Sequence, residues 1–172
     1  MAKTVELRRH TDNDGDVLSF EGVAAALEIG RGLVGDYQIA VSTGAQRATQ
    51  ALACMLAGLG RGVPGGVVVE PGLRSAAEDR WRALAGKASG SGLAAFRAVD
   101  AEFVDEEAAS LGLALRRVFD LLDEGGAALV VGHSPTNEAA VLGLTGRIIG
   151  PLAKGAGVRV VSDGGFTASP IT

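Results

Sequence analysis

Hydrophobic and polar positions along the chain form two alternating patterns. Short apolar runs of strand type are separated by longer segments whose apolar residues recur at helical spacing. The runs predict five strands, at Thr4–Arg9, Tyr37–Ser42, from Val67–Val69 onward, Ala127–Val131 and Val158–Val161. The longer segments predict helices from Ser19 to about Leu33, over Ala45–Leu59, after Ser75, over Phe103–Leu122 and from a first turn containing Pro135. Because strands and helices alternate, the pattern predicts a three-layer α/β/α sandwich with a mostly parallel central sheet.

Two polar segments interrupt this pattern. Gly86–Gly92 is loose and polar, and we expect a mobile rim there. The loop Asp12–Asp16 holds three aspartates, which resemble the opening of a calcium-binding loop. An EF-hand, however, needs a Glu at its last ligand position and a helix before the loop, whereas here the Glu is missing and a strand comes first. We therefore predict a solvated loop and no metal site.

Composition limits the classes of partner. The 172 residues are enough for one domain with a substantial core, and no linker or repeat divides them. A formal net charge of −4 argues against nucleic-acid binding. Cys54 is the only cysteine, so a disulfide within the chain is impossible. The sequence predicts neither a signal peptide nor a transmembrane segment, and we expect a cytoplasmic protein with no membrane partner.

The chain has only two histidines, and both follow predicted strands. His10 comes directly after Arg9, and His133 closes the apolar run Ala127–Gly132. Open α/β sheets place their ligands at the carboxyl ends of the strands. The two histidines therefore either share one site or are unrelated strand-end residues, and the pattern alone leaves both alternatives open.

Four short motifs stand in order along the chain. They are Arg9–Thr11, Leu18–Ala25, Ser42–Gln50 and Val131–Pro135. In these segments the sequence resembles the histidine phosphatase superfamily, whose patterns are R-H-G, L-T-x-x-G-x-x-A, S-S-x-x-x-R-A-x-Q-T and V-x-H-G/S. The resemblance covers most of the chain and implies the phosphoglycerate mutase-like fold.

The resemblance implies a role for each matching side chain. His10 would become a phosphohistidine, while Arg9, Arg47 and His133 would hold the phosphoryl group. Guanidinium groups suit this task because they grip phosphate through two parallel hydrogen bonds, and a neutral His10 can attack phosphorus. A polar residue after R-H-G often binds phosphate in the family, which makes Asn13 a further candidate. We expect no metal and no cofactor.

The general acid is the point at which the sequence departs from the family. Many members carry an L-x-E segment a few residues before a tryptophan, and aligning Trp81 with that tryptophan puts Ser75 where the Glu should be. Serine cannot act as the acid at neutral pH, whereas a carboxyl with a raised pKa can. Glu78 is the first replacement, Glu70 the next, and Asp79 is a neighbour of Glu78. Each of them can equally be a solvated surface carboxylate.

These features predict a phosphatase that hydrolyses a small phosphomonoester or a protein phosphohistidine through an intermediate on His10. A phosphoramidate has a good leaving group, so the missing Glu and the small size of the chain favour phosphohistidine. Two alternatives are a phosphoglycerate mutase and a phospholigand-binding module that has lost turnover with its acid. Arg8 points to the opposite face of the strand from Arg9, so we do not assign it to the site.

Overall fold

The computed structural model describes residues 1–171. Within this range the strands are β1 (Lys3–Arg9), β2 (Asn13–Asp14), β3 (Val17–Leu18), β4 (Ile39–Ser42), β5 (Val67–Val69), β6 (Ala127–Gly132), β7 (Gly157–Ser162) and β8 (Phe166–Ile171). The helices are α1 (Phe20–Gly32), α2 (Gln46–Leu59), α3 (Glu78–Lys87), α4 (Leu93–Val99), α5 (Ala101–Asp120) and α6 (Thr136–Thr145), with a short 3-10 helix at Pro71–Leu73. None of the helices in this range is long and apolar enough to cross a membrane.

Six of the strands form the central sheet, in the order β5-β4-β6-β1-β7-β8. The first four strands of this order run parallel to one another, whereas β7 pairs antiparallel with both β1 and β8. Helices cover both faces. The predicted α/β/α sandwich with a mostly parallel sheet is therefore confirmed.

Alternation along the strands divides the apolar core into two parts. In β6, Ala128 and Val130 face the core shared with α3 to α6, whereas Leu129 and Val131 face the core shared with α1 and α2. All four side chains are fully buried. A parallel strand that is covered on both faces is apolar throughout, and for this reason the run Ala127–Val131 predicts a buried strand.

Several elements differ from those that the sequence predicted. Helix α3 begins at Glu78 instead of soon after Ser75, because the Ser75 hydroxyl accepts a hydrogen bond from the Ala77 N–H and holds that turn outside the helix. Helix α4 and the edge strand β8 were not predicted. Strand β8 alternates between exposed and half-buried positions and contains polar residues and a proline, so it lacks the apolar run typical of a central strand.

Candidate functional site

The two histidines meet at the carboxyl edge of the sheet. Strands β1 and β6 are parallel neighbours, with Arg9 opposite Gly132, and the residue after each is a histidine. The His10 N–H donates to the Gly132 carbonyl over 3.0 Å. The two imidazole rings stand edge to face with their centroids 5.4 Å apart. The sequence left open whether the histidines share one site or are unrelated, and the structure places them side by side.

The ring of His10 is oriented by its own backbone. Its Nδ1 lies 2.8 Å from the Thr11 carbonyl oxygen, which can only accept, so Nδ1 carries the proton. Nε2 of a neutral His10 is therefore left with its lone pair. Burial lowers the pKa of His10, and the positive charges of Arg47, Arg9 and Lys154 lower it further, against the Thr11 hydrogen bond, which raises it. The side chain is thus neutral at pH 7 and able to act as a nucleophile.

His133 is held by Thr43, the residue that follows the neighbouring strand β4. Its Nε2 lies 2.8 Å from the Thr43 hydroxyl, while its buried Nδ1 has no hydrogen-bond partner within residues 1–171. Burial, followed by the charges of Arg47, His10 and Arg74, lowers the pKa of His133 to about 3. A neutral imidazole carries one N–H, so His133 can supply a single hydrogen bond to an anion.

Arg9 enters the site from the end of β1. Its Nη1 donates to the Leu152 carbonyl over 2.9 Å, and its Nε is buried without a partner in the part of the chain described. Burial lowers the pKa of the Arg9 guanidinium, although the nearby Glu138 carboxyl raises it. The geometry places a half-buried cation with unused donor capacity next to His10.

Arg47 projects from the first turn of α2, where it meets an internal carboxylate. Its Nη1 lies 2.8 Å from Oδ1 of Asp16, and the backbone N–H groups of Gln46 and Arg47 also point at Asp16, over 3.4 and 3.3 Å. Burial alone would raise the pKa of the Asp16 carboxyl, but these hydrogen bonds outweigh it and the pKa is lowered. The N-terminus of α2 and the Arg47 guanidinium thus form an anion-binding site, in which the Asp16 carboxylate lies.

The loop after His10 is a small hairpin formed by β2 and β3. The Asn13 amide donates to the Gly15 carbonyl over 2.7 Å, within the turn, and none of its hydrogen bonds within residues 1–171 reaches the histidines or Arg47. The hydroxyl of the buried Thr11 donates to the Gly22 carbonyl over 2.7 Å and ties β1 to α1. Asn13 and the Thr11 hydroxyl are therefore engaged in holding the loop.

A cavity of about 250 Å³ opens beside His133, and neither His10 nor Arg9 lines it. Its walls come from α2, α3 and the β6–α6 loop, and the residues that line it are Arg47, Ser75, Glu78, Trp81, Arg82, Ala85, His133, Ser134, Pro135 and Thr136. Polar and apolar side chains both contribute to it. Nowhere between residues 1 and 171 do three or more His, Cys, Asp or Glu side chains form a group that could hold a metal ion.

Of the three carboxylates considered for the general acid, only Glu78 lines this cavity. It accepts a hydrogen bond from Arg74 over 2.8 Å and lies 3.8 Å from Arg47. Glu70 accepts from the backbone N–H of Gly72 and from Arg117, on the side of α5. Asp79 pairs with Arg82 at the surface. The structure brings Glu78 near the candidate phosphate ligands and leaves the other two outside the cavity.

Ser75 has a partner that the sequence did not indicate. Its hydroxyl donates to the Glu107 carboxylate, and the Trp81 indole N–H donates to the same oxygen over 2.8 Å. Ser75 is buried, so these contacts fasten the start of α3 to α5. A glutamate at position 75 would face Glu107 directly and would leave two carboxylates together.

Three other residues near the site were also missed. Thr43 holds His133, Asp16 holds Arg47, and Glu138 lies buried beside Arg9. Thr43 and Asp16 stand next to recognised motifs and carry no signal of their own. Glu138 does carry a signal, because a charged residue directly before the apolar run Ala139–Leu144 is unusual in a helix that packs against the core. A fully buried carboxylate also needs partners.

Solved structures of known proteins resemble the chain, although no protein-family model and no curated protein matches its sequence. A phosphoglycerate mutase from Bacillus anthracis is 16% identical, with a TM-score of 0.70 over 99% of this chain and 92% of that one. The protein histidine phosphatase SixA, in complex with tungstate, is 21% identical, with a TM-score of 0.62 over 96% and 94%. YhfR from Bacillus stearothermophilus is 16% identical, with a TM-score of 0.70 over 98% and 96%. The chain therefore has the fold of these solved structures, the phosphoglycerate mutase-like fold that the motifs implied.

Proposed function

We propose that the protein is a phosphatase that transfers a phosphoryl group to Nε2 of His10 and then to water. The observation that carries this proposal is the orientation of His10. Its Nδ1 is fixed by a backbone carbonyl, and its ring stands 5.4 Å from that of His133. Arg47 and Arg9 both lower its pKa through their positive charge. A neutral nucleophile between two guanidinium groups and a second imidazole is suited to attack on phosphorus.

Each step follows from these groups. Nε2 of His10 attacks phosphorus, the bond from phosphorus to the leaving group breaks, and its electron pair departs with the leaving group. Arg9 and Arg47 hold the non-bridging oxygens, and the single N–H of His133 donates to one of them as charge moves. Water then attacks the phosphohistidine, the P–N bond breaks, and its electron pair returns to Nε2 of His10. Inorganic phosphate leaves, and the proton lost by the water passes to the solvent. Because Asp16 holds Arg47 before substrate arrives, the incoming phosphoryl group competes with this carboxylate.

Phosphohistidine on a protein is the substrate we favour over a small phosphomonoester. Position 75 holds a serine bonded to Glu107, and Glu78, the candidate acid that lines the cavity, is already paired with Arg74. An imidazole leaves from phosphorus with less acid help than an alkoxide does. The similarity in fold to a protein named as a histidine phosphatase supports the same choice.

A second candidate is a module that binds phosphorylated ligands without turning them over. Two observations favour it, the serine at position 75 and the Asp16 carboxylate already seated on Arg47. Such a module would bind inorganic phosphate or vanadate but would form no phosphoenzyme. The two candidates therefore differ in one measurable intermediate.

The decisive experiment is to trap the intermediate. The wild-type protein and His10→Ala would be mixed with p-nitrophenyl phosphate and with a phosphohistidine peptide, and product and acid-labile protein-bound phosphate would be measured. We expect turnover and a trapped phosphohistidine in the wild type, and neither in His10→Ala. Arg61→Ala is the control, since Arg61 pairs with Asp36 at the surface. Full activity in His10→Ala would exclude the intermediate, and phosphate binding without turnover would favour the binding module.

A further inference from the structure

We propose that Glu138 is a positioning residue that sets both Arg9 and the loop carrying His133 for phosphate binding. Glu138 lies on α6 and is only 1% exposed. Its carboxyl makes its hydrogen bonds to Ser134 and Leu152 and not to a histidine, so its part in the site is inferred from hydrogen bonds that lead to the phosphate ligands. The inference rests on the proposed phosphate site, but the binding measurements below do not require turnover.

On one side, Glu138 reaches Arg9 through a single peptide unit. Its Oε1 accepts from the Leu152 N–H over 2.7 Å, and the Leu152 carbonyl accepts from Nη1 of Arg9 over 2.9 Å. The segment around Leu152 has no regular secondary structure, so the carboxylate is what fixes this carbonyl acceptor to α6. If Glu138 is lost, Arg9 keeps its partner only if the segment stays in place.

On the other side, the same oxygen holds the residue that follows His133. The Ser134 hydroxyl donates to Oε1 over 2.7 Å. Ser134 lines the cavity beside His133, in the loop between β6 and α6. One carboxylate oxygen thus joins the β6–α6 loop to the segment before β7. The loop follows His133, and the segment before β7 contains the carbonyl that accepts from Arg9.

The burial of this carboxylate argues that it serves more than packing. Burial raises the pKa of Glu138, while the Leu152 N–H, the Ser134 hydroxyl and the charge of Arg9 act in the opposite direction. Its Oε2 and the Nε of Arg9 are both buried and both lack a hydrogen-bond partner among residues 1–171. An apolar side chain would avoid the cost of burying such groups. A polar side chain at this place is explained if the site needs an acceptor oxygen for the Leu152 N–H and the Ser134 hydroxyl.

Three substitutions separate the position of the acceptor from its charge. Glu138→Gln keeps an acceptor oxygen at the same reach, Glu138→Asp keeps the charge but draws the acceptor back by one methylene, and Glu138→Ala removes both. Calorimetric binding of vanadate is the readout, at a temperature where each variant is folded by circular dichroism. We expect the vanadate dissociation constant to rise about 10- to 100-fold in Glu138→Ala and nearly as much in Glu138→Asp, and to change less than about threefold in Glu138→Gln, since small displacements of a ligand have effects of this size. Glu106→Ala, an exposed position on α5, is the control.

A double-mutant cycle tests whether Glu138 acts through Arg9. Calorimetric binding of vanadate would be compared in Arg9→Ala, in Arg47→Ala and in each combined with Glu138→Ala. Residues that act through a shared contact are not additive, whereas distant ones are. We expect Glu138→Ala to have little further effect once Arg9 is gone, and to keep most of its effect when Arg47 is gone.

Several results would overturn this inference. Weaker vanadate binding in Glu138→Gln than in Glu138→Asp would show that the charge matters and the position of the acceptor does not. An equal loss of vanadate affinity on adding Glu138→Ala to Arg9→Ala and to Arg47→Ala would show that Glu138 does not act through Arg9. Loss of alkyl phosphate turnover in Glu138→Gln with unchanged vanadate binding would make Glu138 a proton donor. If Glu138→Ala fails to fold, the comparison of Gln with Asp still decides. If the wild type binds vanadate without turnover, the phosphatase proposal fails and the positioning inference is judged on binding.

Discussion

At the scale of single residues, the two histidines have the same protonation state for closely related reasons. Both are buried, and both feel the positive charge of Arg47, so both pKa values are lowered. The hydrogen bond from Nδ1 of His10 to a backbone carbonyl then decides which nitrogen is free to react. Two neutral rings can stand edge to face at 5.4 Å without the repulsion that two imidazolium ions would have.

Because the chain has only two histidines, their titration can be followed without overlap. We expect the pKa of His133 to lie near 3, so that this ring stays neutral at pH 5, and the pKa of His10 to lie below the usual value of about 6.5. Nitrogen-15 NMR of the imidazole groups, recorded between pH 8 and pH 4, measures both values and the tautomer. The predicted tautomer of His10 has its proton on Nδ1. A normal titration midpoint for either ring would contradict the burial and charge described above.

At the scale of secondary structure elements, helix α3 determines which carboxylate reaches the cavity. Its first turn places Glu78 over Arg47 and Arg74, and its second turn places Trp81 against Glu107. Asp79, one residue later, points to solvent with its side chain 96% exposed. The helix thus presents one acidic side chain to the site and turns its neighbour away.

This arrangement predicts a leaving-group effect in Glu78→Gln. If Glu78 protonates the leaving oxygen, the variant should lose about 10²–10⁴-fold in turnover of an alkyl phosphate and little with p-nitrophenyl phosphate, because nitrophenolate leaves without a proton. Steady-state rates with the two substrates give the comparison. Asp79→Asn is the matched control and should change neither rate. An equal loss on both substrates would instead mark Glu78 as a partner that holds Arg74 and Arg47.

The packing of α5 against α6 depends on glycines at their contact. A Cβ added to Gly143 would lie 1.8 Å from the Ala108 carbonyl oxygen, and one added to Gly112 would lie 2.7 Å from the backbone of Gly143. The two helices therefore approach each other closely enough for backbone to meet backbone. Since α6 begins just after His133, this contact also fixes the direction in which the helix leaves the site.

We expect Gly143→Ala to destabilise the fold by about 1–3 kcal/mol or more, because neither backbone can move without separating the helices. Urea unfolding monitored by circular dichroism measures the change. Gly86→Ala is the control, since Gly86 lies in helix α3 and a Cβ there meets nothing within 4 Å. That variant should gain up to about 1 kcal/mol from the higher helix propensity of alanine. Destabilisation of the same size in both variants would mean that helix contact is not the cause.

At the scale of the whole molecule, the sequence was sufficient to predict those features that depend on a local pattern of residues. The apolar runs gave the parallel strands, Ser19 was recognised as the cap of α1, and the two histidines were expected at strand ends. The ion pair of Arg47 with Asp16 and the contact of Ser75 with Glu107 could not be predicted, because the partners are 31 and 32 residues apart and no spacing rule joins them. Strand β8 was missed since its polar pattern is that of a loop. Long-range partners and sheet edges therefore needed the structure.

The pH dependence of stability combines two opposite contributions. The folded pKa values of His10 and His133 are lowered, so below about pH 6.5 the unfolded chain binds protons that the folded chain does not. Their contribution to stability is complete above pH 6.5 and is lost as the pH falls towards the folded values. Glu138 has a raised pKa, so its contribution is complete below the ordinary value of about 4.3 and is lost as the pH rises through its folded value. The histidines and Glu138 thus act in opposite directions in mildly acidic solution.

We expect His133 alone to lower the free energy of unfolding by about 2 kcal/mol between pH 6.5 and pH 5, because its folded pKa is about 3 and each pH unit in this window is worth about 1.4 kcal/mol. His133→Gln keeps an amide near the Thr43 hydroxyl but cannot take up a proton, so its stability should change less with pH than that of the wild type. Glu138→Gln should change the dependence in the opposite sense and make the loss steeper, since it removes the group that is more stable protonated. Urea unfolding at pH 6.5, 6.0, 5.5 and 5.0 measures these slopes before ordinary carboxylates titrate. Asp36→Asn, at an exposed ion pair, is the control and should follow the wild type. An unchanged slope in His133→Gln would show that protonation of this buried ring does not limit the stability of the fold in acid.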